Sequence, residues 1–232
     1  MISKMKCKIV SFQEVHEKVR HVAEKVKASR YEPTTIVGLA RGGWIPARLM
    51  CDLLGITDLV SLKVEHWLET GKTKDEATIK YPLVTSMREK KLLIVDDITD
   101  TGKSLITSIE HLKKLHPEEM KIGVMQYISQ STCEPDYYAE EVKEWFWFIY
   151  PWNWVEDTST LIVRLMSEET GKEWRPNAIN AGLQEYFGIK WNRKMLRYIL
   201  KLMTERGQVD AVKSGGGFKY RLQRRSVIQL AS

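Results

Sequence analysis

Three cysteines in 232 residues, at positions 7, 51 and 133, are too few and too scattered for a disulfide framework. The sequence has no apolar N-terminal h-region and no run approaching about eighteen apolar residues, so neither a signal peptide nor a membrane helix is indicated. A reduced, soluble, cytoplasmic protein without membrane contact is expected. Metal cages are missing as well: His16, His21, His66, His111 and His116 stand at no ligand spacing with Cys51 or Cys133. There are no internal repeats and no low-complexity tracts, which excludes solenoids and disordered polar chains.

What is present is 43% hydrophobic residues, enough for one medium domain and a small extension. Phe12, Val15, Val19, Val22 and Val26 keep helical spacing, and Ser11 with Glu14 forms a candidate capping box ahead of them. Strands and helices then alternate as far as about residue 154, which predicts an α/β fold with a mostly parallel sheet flanked by helices. Strand candidates are 35–40, 59–64, 92–95, 121–128 and 145–149. The charged stretch 69–80 has no periodicity and reads as a surface loop.

Residues 92–104, LLIVDDITDTGKS, carry the most chemistry. Leu92, Leu93, Ile94 and Val95 lack polar alternation, as a parallel strand covered on both faces does. Asp96 and Asp97 follow at its carboxyl end, where open α/β sheets hold their ligands. Paired acids there accept hydrogen bonds from a vicinal diol or sit near a divalent cation. Thr99, Asp100, Thr101, Gly102, Lys103 and Ser104 then supply hydroxyls, a permissive glycine and open amides before the helical pattern Leu105, Ile106, Ile109, Leu112. Such a turn wraps a phosphate. The GKS fragment is not a Walker A loop, because Asp97 stands where that loop needs its first glycine. Taken singly, the acids could be solvated turn residues and Ser104 a plain helix cap. The complete string predicts a site for a sugar phosphate.

A second strand-to-helix turn lies upstream. Thr35, Ile36, Val37, Gly38, Leu39 and Ala40 read as a buried strand, followed by Arg41, Gly42 and Gly43 and a helix from Trp44 that tolerates Pro46 in its first turn and ends near Gly55. The glycines let backbone approach a bulky anion, and Arg41 adds a permanent charge with planar donors.

These motifs, in this order, resemble the type I phosphoribosyltransferases over roughly residues 10–157. The resemblance implies that family's fold and a reaction with phosphoribosyl pyrophosphate (PRPP). It places Asp96 and Asp97 on the ribose hydroxyls, and Asp100, Thr101, Gly102, Lys103 and Ser104 on the 5′-phosphate. Arg41, Gly42 and Gly43 fall on the pyrophosphate, with a cis bond expected between Arg41 and Gly42. Mg²⁺ is implied, held largely through PRPP near Asp96 and Asp97, and a homodimer is implied too. Residues 69–80 become a hood that closes over the reaction centre.

The aromatic segment 145–152, WFWFIYPW, resembles the region before the Pro-Trp pair of the xanthine, guanine and hypoxanthine branch. That likeness puts Trp147 at the base-stacking position and Phe148 where main-chain groups read the ring edge. Most of these aromatics read equally well as sheet core. Where that branch carries a lysine for the 6-oxo group, this sequence has a position near Ser129, which leaves adenine open beside the favoured 6-oxopurines. Asp100 matches the acid beside N7 of the base and is the candidate catalytic group. The expected activity is purine phosphoribosyl transfer from PRPP, yielding a nucleotide and pyrophosphate. The alternative is a PRPP- or nucleotide-sensing transcriptional regulator. PRPP synthase, with a similar acidic loop, is longer and built from two related domains.

Beyond residue 167 the sequence changes character. Thirteen basic residues minus six acidic ones give +7, leaving −1 of the overall +6 for the rest. Helices are expected near 158–169, 177–187 and 192–205, then a hairpin of 208–213 and 218–222 around a glycine-rich turn. Three helices and a hairpin resemble a winged-helix module, which makes DNA a candidate partner. The expected division is a phosphoribosyltransferase domain over 1–157 and a basic winged-helix-like domain over 158–232. Packing against a partner subunit or covering the active site, with its lysines merely solvated, is the alternative role for that tail.

Overall fold

The computed structural model describes residues 4–69 and 72–223. Its first element is a short strand, β1 (Cys7–Ile9), which sequence periodicity did not reveal because three residues carry no pattern. Helix α1 (Phe12–Ala28) follows, burying Val15, Val19, Val22, Ala23 and Val26 along one side. Its capping box is present: the Glu14 N–H donates to Ser11 Oγ at 3.1 Å, and the Glu14 carboxylate accepts from the Ser11 N–H at 2.7 Å. Next come β2 (Thr35–Ala40), α2 (Trp44–Leu54), β3 (Leu59–Glu69), β4 (Lys72–Tyr81), β5 (Lys91–Thr99), α3 (Lys103–Lys113), β6 (Glu119–Ile128) and β7 (Tyr137–Val142).

These strands form one sheet in the order β4-β3-β2-β5-β6-β7. Every pairing is parallel except β3 with β4. Ile36, Val37, Leu39, Leu92, Leu93, Ile94 and Val95 are almost fully buried, as strands covered on both faces must be. Val37, Leu39, Leu92 and Ile94 pack with Leu105 and Leu112 of α3, while Gly38 lies against Ala47 of α2. From β2 the chain crosses to β3 on one side, and from β5 it crosses to β6 on the other. The crevice between the carboxyl ends of β2 and β5 is therefore the topological switch point of the sheet.

Two local expectations change. Residues 69–80 are not an irregular loop: they belong mostly to β4, an edge strand antiparallel to β3, with Glu69↔Lys72 and Trp67↔Thr73 in register. An edge strand is held by main-chain ladder bonds and carries no apolar signature of its own. Strand β5 also runs past Val95 to Thr99, because β6 continues the ladder through Asp96↔Val124, Ile98↔Gln126 and Thr99↔Tyr127.

The chain forms two compact units, Ser11–Trp145 and Met1–Val10 with Phe146–Ser232. In the second unit β8 (Trp147–Ile149) pairs in parallel with β1, not with the larger sheet, so the aromatic segment is no part of that sheet's core. Helices α4 (Trp154–Ser167), α5 (Pro176–Phe187) and α6 (Arg193–Glu205) and an antiparallel hairpin of β9 (Val209–Ser214) and β10 (Gly217–Leu222) complete it. Their core gathers Leu161, Leu165, Ile179, Leu183, Phe187, Ile199, Met203, Val209 and Leu222 with Cys7 and Ile149. Helix α4 begins at Trp154, ahead of the expected start near 158, because Asn153 turns the chain and the Asp157 N–H already donates to the Asn153 carbonyl at 2.9 Å. A division between 157 and 158 falls inside this helix.

Candidate active site

Both sequence motifs end on the switch-point crevice. After β2, the Gly43 N–H donates to the Leu39 carbonyl at 2.8 Å, turning the chain so that α2 starts at Trp44. The cis peptide bond lies at Ala40–Arg41, one residue before the expected Arg41–Gly42, because β2 itself runs to Ala40 and the turn opens at Arg41. The Arg41 side chain is exposed. The two glycines are required for space and not for backbone angle. A Cβ on Gly43 would collide with the Val95 carbonyl of β5, and a Cβ on Gly42 would collide with the Asp97 carboxylate. The Arg41–Gly43 turn and the acidic pair therefore touch.

On β5, Asp96 Oδ1 accepts from the Asp97 N–H and Asp97 Oδ1 from the Ile98 N–H, each at 2.9 Å. These bonds hold the two carboxylates in place. Burial pushes the Asp96 carboxyl well above the ordinary carboxylate range, and the adjoining Asp97 charge pushes it further. Part of the Asp96 residue nevertheless remains exposed, whereas Asp97 is only 9% exposed. Thr99 is buried, and its hydroxyl has no hydrogen-bond partner among the described residues.

The following turn reaches α3 through Gly102, whose φ of +84° places it in the left-handed region. A Cβ there would also lie 2.7 Å from the Cys133 nitrogen and 2.8 Å from Ser131 Oγ. Residues 131–133 back this turn, and the Thr132 hydroxyl donates to the Thr101 carbonyl at 2.8 Å. Sequence reasoning missed this support, since a short run of small polar residues looks like any surface loop. Asp100, Thr101 and Ser104 are half-buried, Lys103 is exposed, and Lys103 is the first residue of α3. A helix start with open N–H groups is suited to an anion.

The structure thus brings together Arg41, Gly42, Gly43, Asp96 and Asp97 around one crevice, with residues 100–104 continuing from β5. Ser129 directly follows β6, and its N–H donates to the Val142 carbonyl at 3.0 Å. Trp147 and Phe148 sit on β8 in the other unit. There Trp147 packs on the helical core, and Phe148, on the opposite side of the strand, stacks with Tyr150 at 6.3 Å between ring centroids.

The model of the phosphoribosyl transferase domain matches residues 9–157, well over half of the chain. The chain belongs to the phosphoribosyl transferase domain family. Among curated members, the xanthine-guanine phosphoribosyltransferase of Cereibacter sphaeroides is 29% identical over 150 residues, 62% of this chain and 85% of the relative. That of Gluconobacter oxydans is 24% identical over 163 residues, 70% of this chain and 92% of the relative. Among solved structures, the purine phosphoribosyltransferase of Pyrococcus horikoshii superposes with a TM-score of 0.56 at 32% identity, covering 64% of this chain and 95% of that one. These matches leave much of the helical C-terminal unit outside the phosphoribosyltransferase likeness.

Proposed function

We propose that the protein transfers the phosphoribosyl group of PRPP to a purine, with a 6-oxopurine as the favoured acceptor. The observation that carries this reading is the contact between Gly42 and the Asp97 carboxylate, which joins an anion-binding turn to a diol-binding acid pair. The relatives named for xanthine and guanine support the purine class.

In this reading the amides around Gly102 and the hydroxyls of Thr101 and Ser104 bind the 5′-phosphate. Asp96 and Asp97 accept from the ribose 2′ and 3′ hydroxyls, and Arg41, Gly42 and Gly43 grip the pyrophosphate. As pyrophosphate departs, positive charge builds on the sugar carbon while a nitrogen of the base approaches it. Asp100 accepts the proton from N7 or steadies its charge. By the family resemblance, Trp147 takes the base-stacking role, Phe148 the main-chain contacts to the ring edge, and Ser129 the position near the 6-substituent.

The acid pair also fits Mg²⁺. Two adjacent hard carboxyl groups stand near the end of β5, a donor set suited to a cation bound mainly through substrate oxygens and water. When bound, the ion neutralises charge on the PRPP phosphates. A homodimer and a cytoplasmic setting complete the proposal, the latter in keeping with three free cysteines.

The deciding assay mixes the protein with PRPP and hypoxanthine, guanine, xanthine or adenine and measures pyrophosphate release. Release with at least one 6-oxopurine is expected. Release with adenine alone would overturn the base assignment, and no release with any base would overturn the reading.

A further inference from the structure

Phosphoribosyl transfer gives no task to the basic surface of the second unit. In α6 the buried residues Leu196, Ile199, Leu200 and Met203 take one side. The opposite side exposes Lys194, Arg197, Tyr198 and Lys201, spaced i, i+3, i+4 and i+7. Among the described residues, Lys201 has only an exposed contact to Glu205 at 3.6 Å, and Lys194 and Arg197 have no carboxylate partner.

The charge order of this helix works against its own stability. α1 carries Glu14 in its first turn and Lys25 and Lys27 in its last, as the helix dipole favours. α6 starts with Arg193 and Lys194 and has no acid in its first turn. Positive charge placed there is unfavourable to the isolated helix, and an anion bound at that end would offset it.

The hairpin extends the same surface. Val209, Tyr220 and Leu222 on one face of the hairpin enter the core with α6. Lys213 and Phe218, paired across the strands on that face, pass beyond the core and are exposed, Phe218 by 50%. Three residues separate the end of α6 from the start of β9, and Val209, Tyr220 and Leu222 share a core with Leu196, Ile199 and Met203 of α6.

We propose that Lys194, Arg197, Tyr198 and Lys201 of α6, with Lys213 and Phe218 of the hairpin, form a docking surface for duplex DNA. A helix about 10–12 Å across enters the major groove of B-form DNA, which is about 12 Å wide. The deep, narrow groove of A-form RNA refuses it. Single strands call for an array of stacking aromatics, and this face offers two. A membrane surface calls for an apolar face, and that of α6 is buried in the unit's own core.

The test is fluorescence anisotropy of the full-length protein with a labelled mixed-sequence duplex at 50 and 200 mM salt. Four or five phosphate contacts predict a slope of about −4 in log affinity against log salt, hence a loss of roughly a few hundredfold between those conditions. Combining Lys194→Ala, Arg197→Ala and Lys201→Ala should flatten the slope by about 3 and weaken binding at least about tenfold at the lower salt. Phosphoribosyl transfer and the thermal melt of the variant should match the native protein. Should that variant melt early, Arg197→Gln alone carries the test, with the slope flattened by about 1. No binding of duplex at 50 mM salt would overturn the proposal. So would native-like binding by the α6 variants, or equal or tighter binding of single-stranded RNA or anionic vesicles through the same residues.

Discussion

Gly42 occupies a place where one carbon atom decides the site. Gly42→Ala puts a methyl group against the Asp97 carboxylate. The expected outcome is destabilisation of about 1–3 kcal/mol, as for other overpacked positions. PRPP binding, measured by calorimetry, should fall together with turnover. Asp100→Asn is expected to behave differently, lowering kcat by about 10²-fold or more while the KM for PRPP stays within about twofold. Steady-state kinetics separates the two, and unchanged turnover in Asp100→Asn would remove that carboxylate from the chemistry. The GG turn at Gly42 and the DD pair at Asp96 and Asp97 are both visible in the sequence, since each follows an apolar strand. The contact between them was not visible, because it depends on β2 and β5 being neighbours in the sheet. The backing of Gly102 by residues 131–133 was hidden for the same reason.

Glu65 of β3 accepts from Lys80 of β4 at 2.8 Å and lies 3.2 Å from Lys63 on its own strand. Hydrogen bonds from these lysines lower the Glu65 carboxyl to about 2 from an ordinary 4.5. A carboxyl lowered in the folded state adds its stabilisation above the unfolded value and loses it as pH falls toward the folded one. NMR titration should find Glu65 still ionised at pH 4, and Lys80→Met should raise its midpoint. A midpoint near 4.5 in the native protein would mean that the cross-strand pairs do not form in solution. This hairpin illustrates where periodicity fails. Its first strand is legible from residue 59 to 64, but its second, β4, reads as a loop because edge pairing is written in backbone bonds and not in apolar alternation. In contrast α5, α6 and the β9–β10 hairpin lie within about two residues of their expected limits, because capping Asn192, left-handed Gly188 and the glycine turn mark their ends locally.

At the level of the molecule, a cut after residue 157 is the natural one by family likeness but an unfavourable one by packing. It divides α4 and removes Leu161, Leu165, Ile179, Leu183 and Phe187 from a core that also holds Cys7 and Ile149. A 1–157 fragment is expected to aggregate and to bind a hydrophobic dye, whereas an 11–145 fragment should keep its circular dichroism. Size-exclusion chromatography and dye fluorescence check this, and a monomeric, dye-silent 1–157 fragment would contradict it. The pairing of β1 with β8 has a further consequence for how the protein is made. Some 140 residues separate Cys7 from Trp147, so at roughly 5–20 residues per second the leading strand waits about 7–28 s on the ribosome for its mate. The sheet that carries the crevice can assemble during that interval, so β1 finds its place after strands that follow it in the chain.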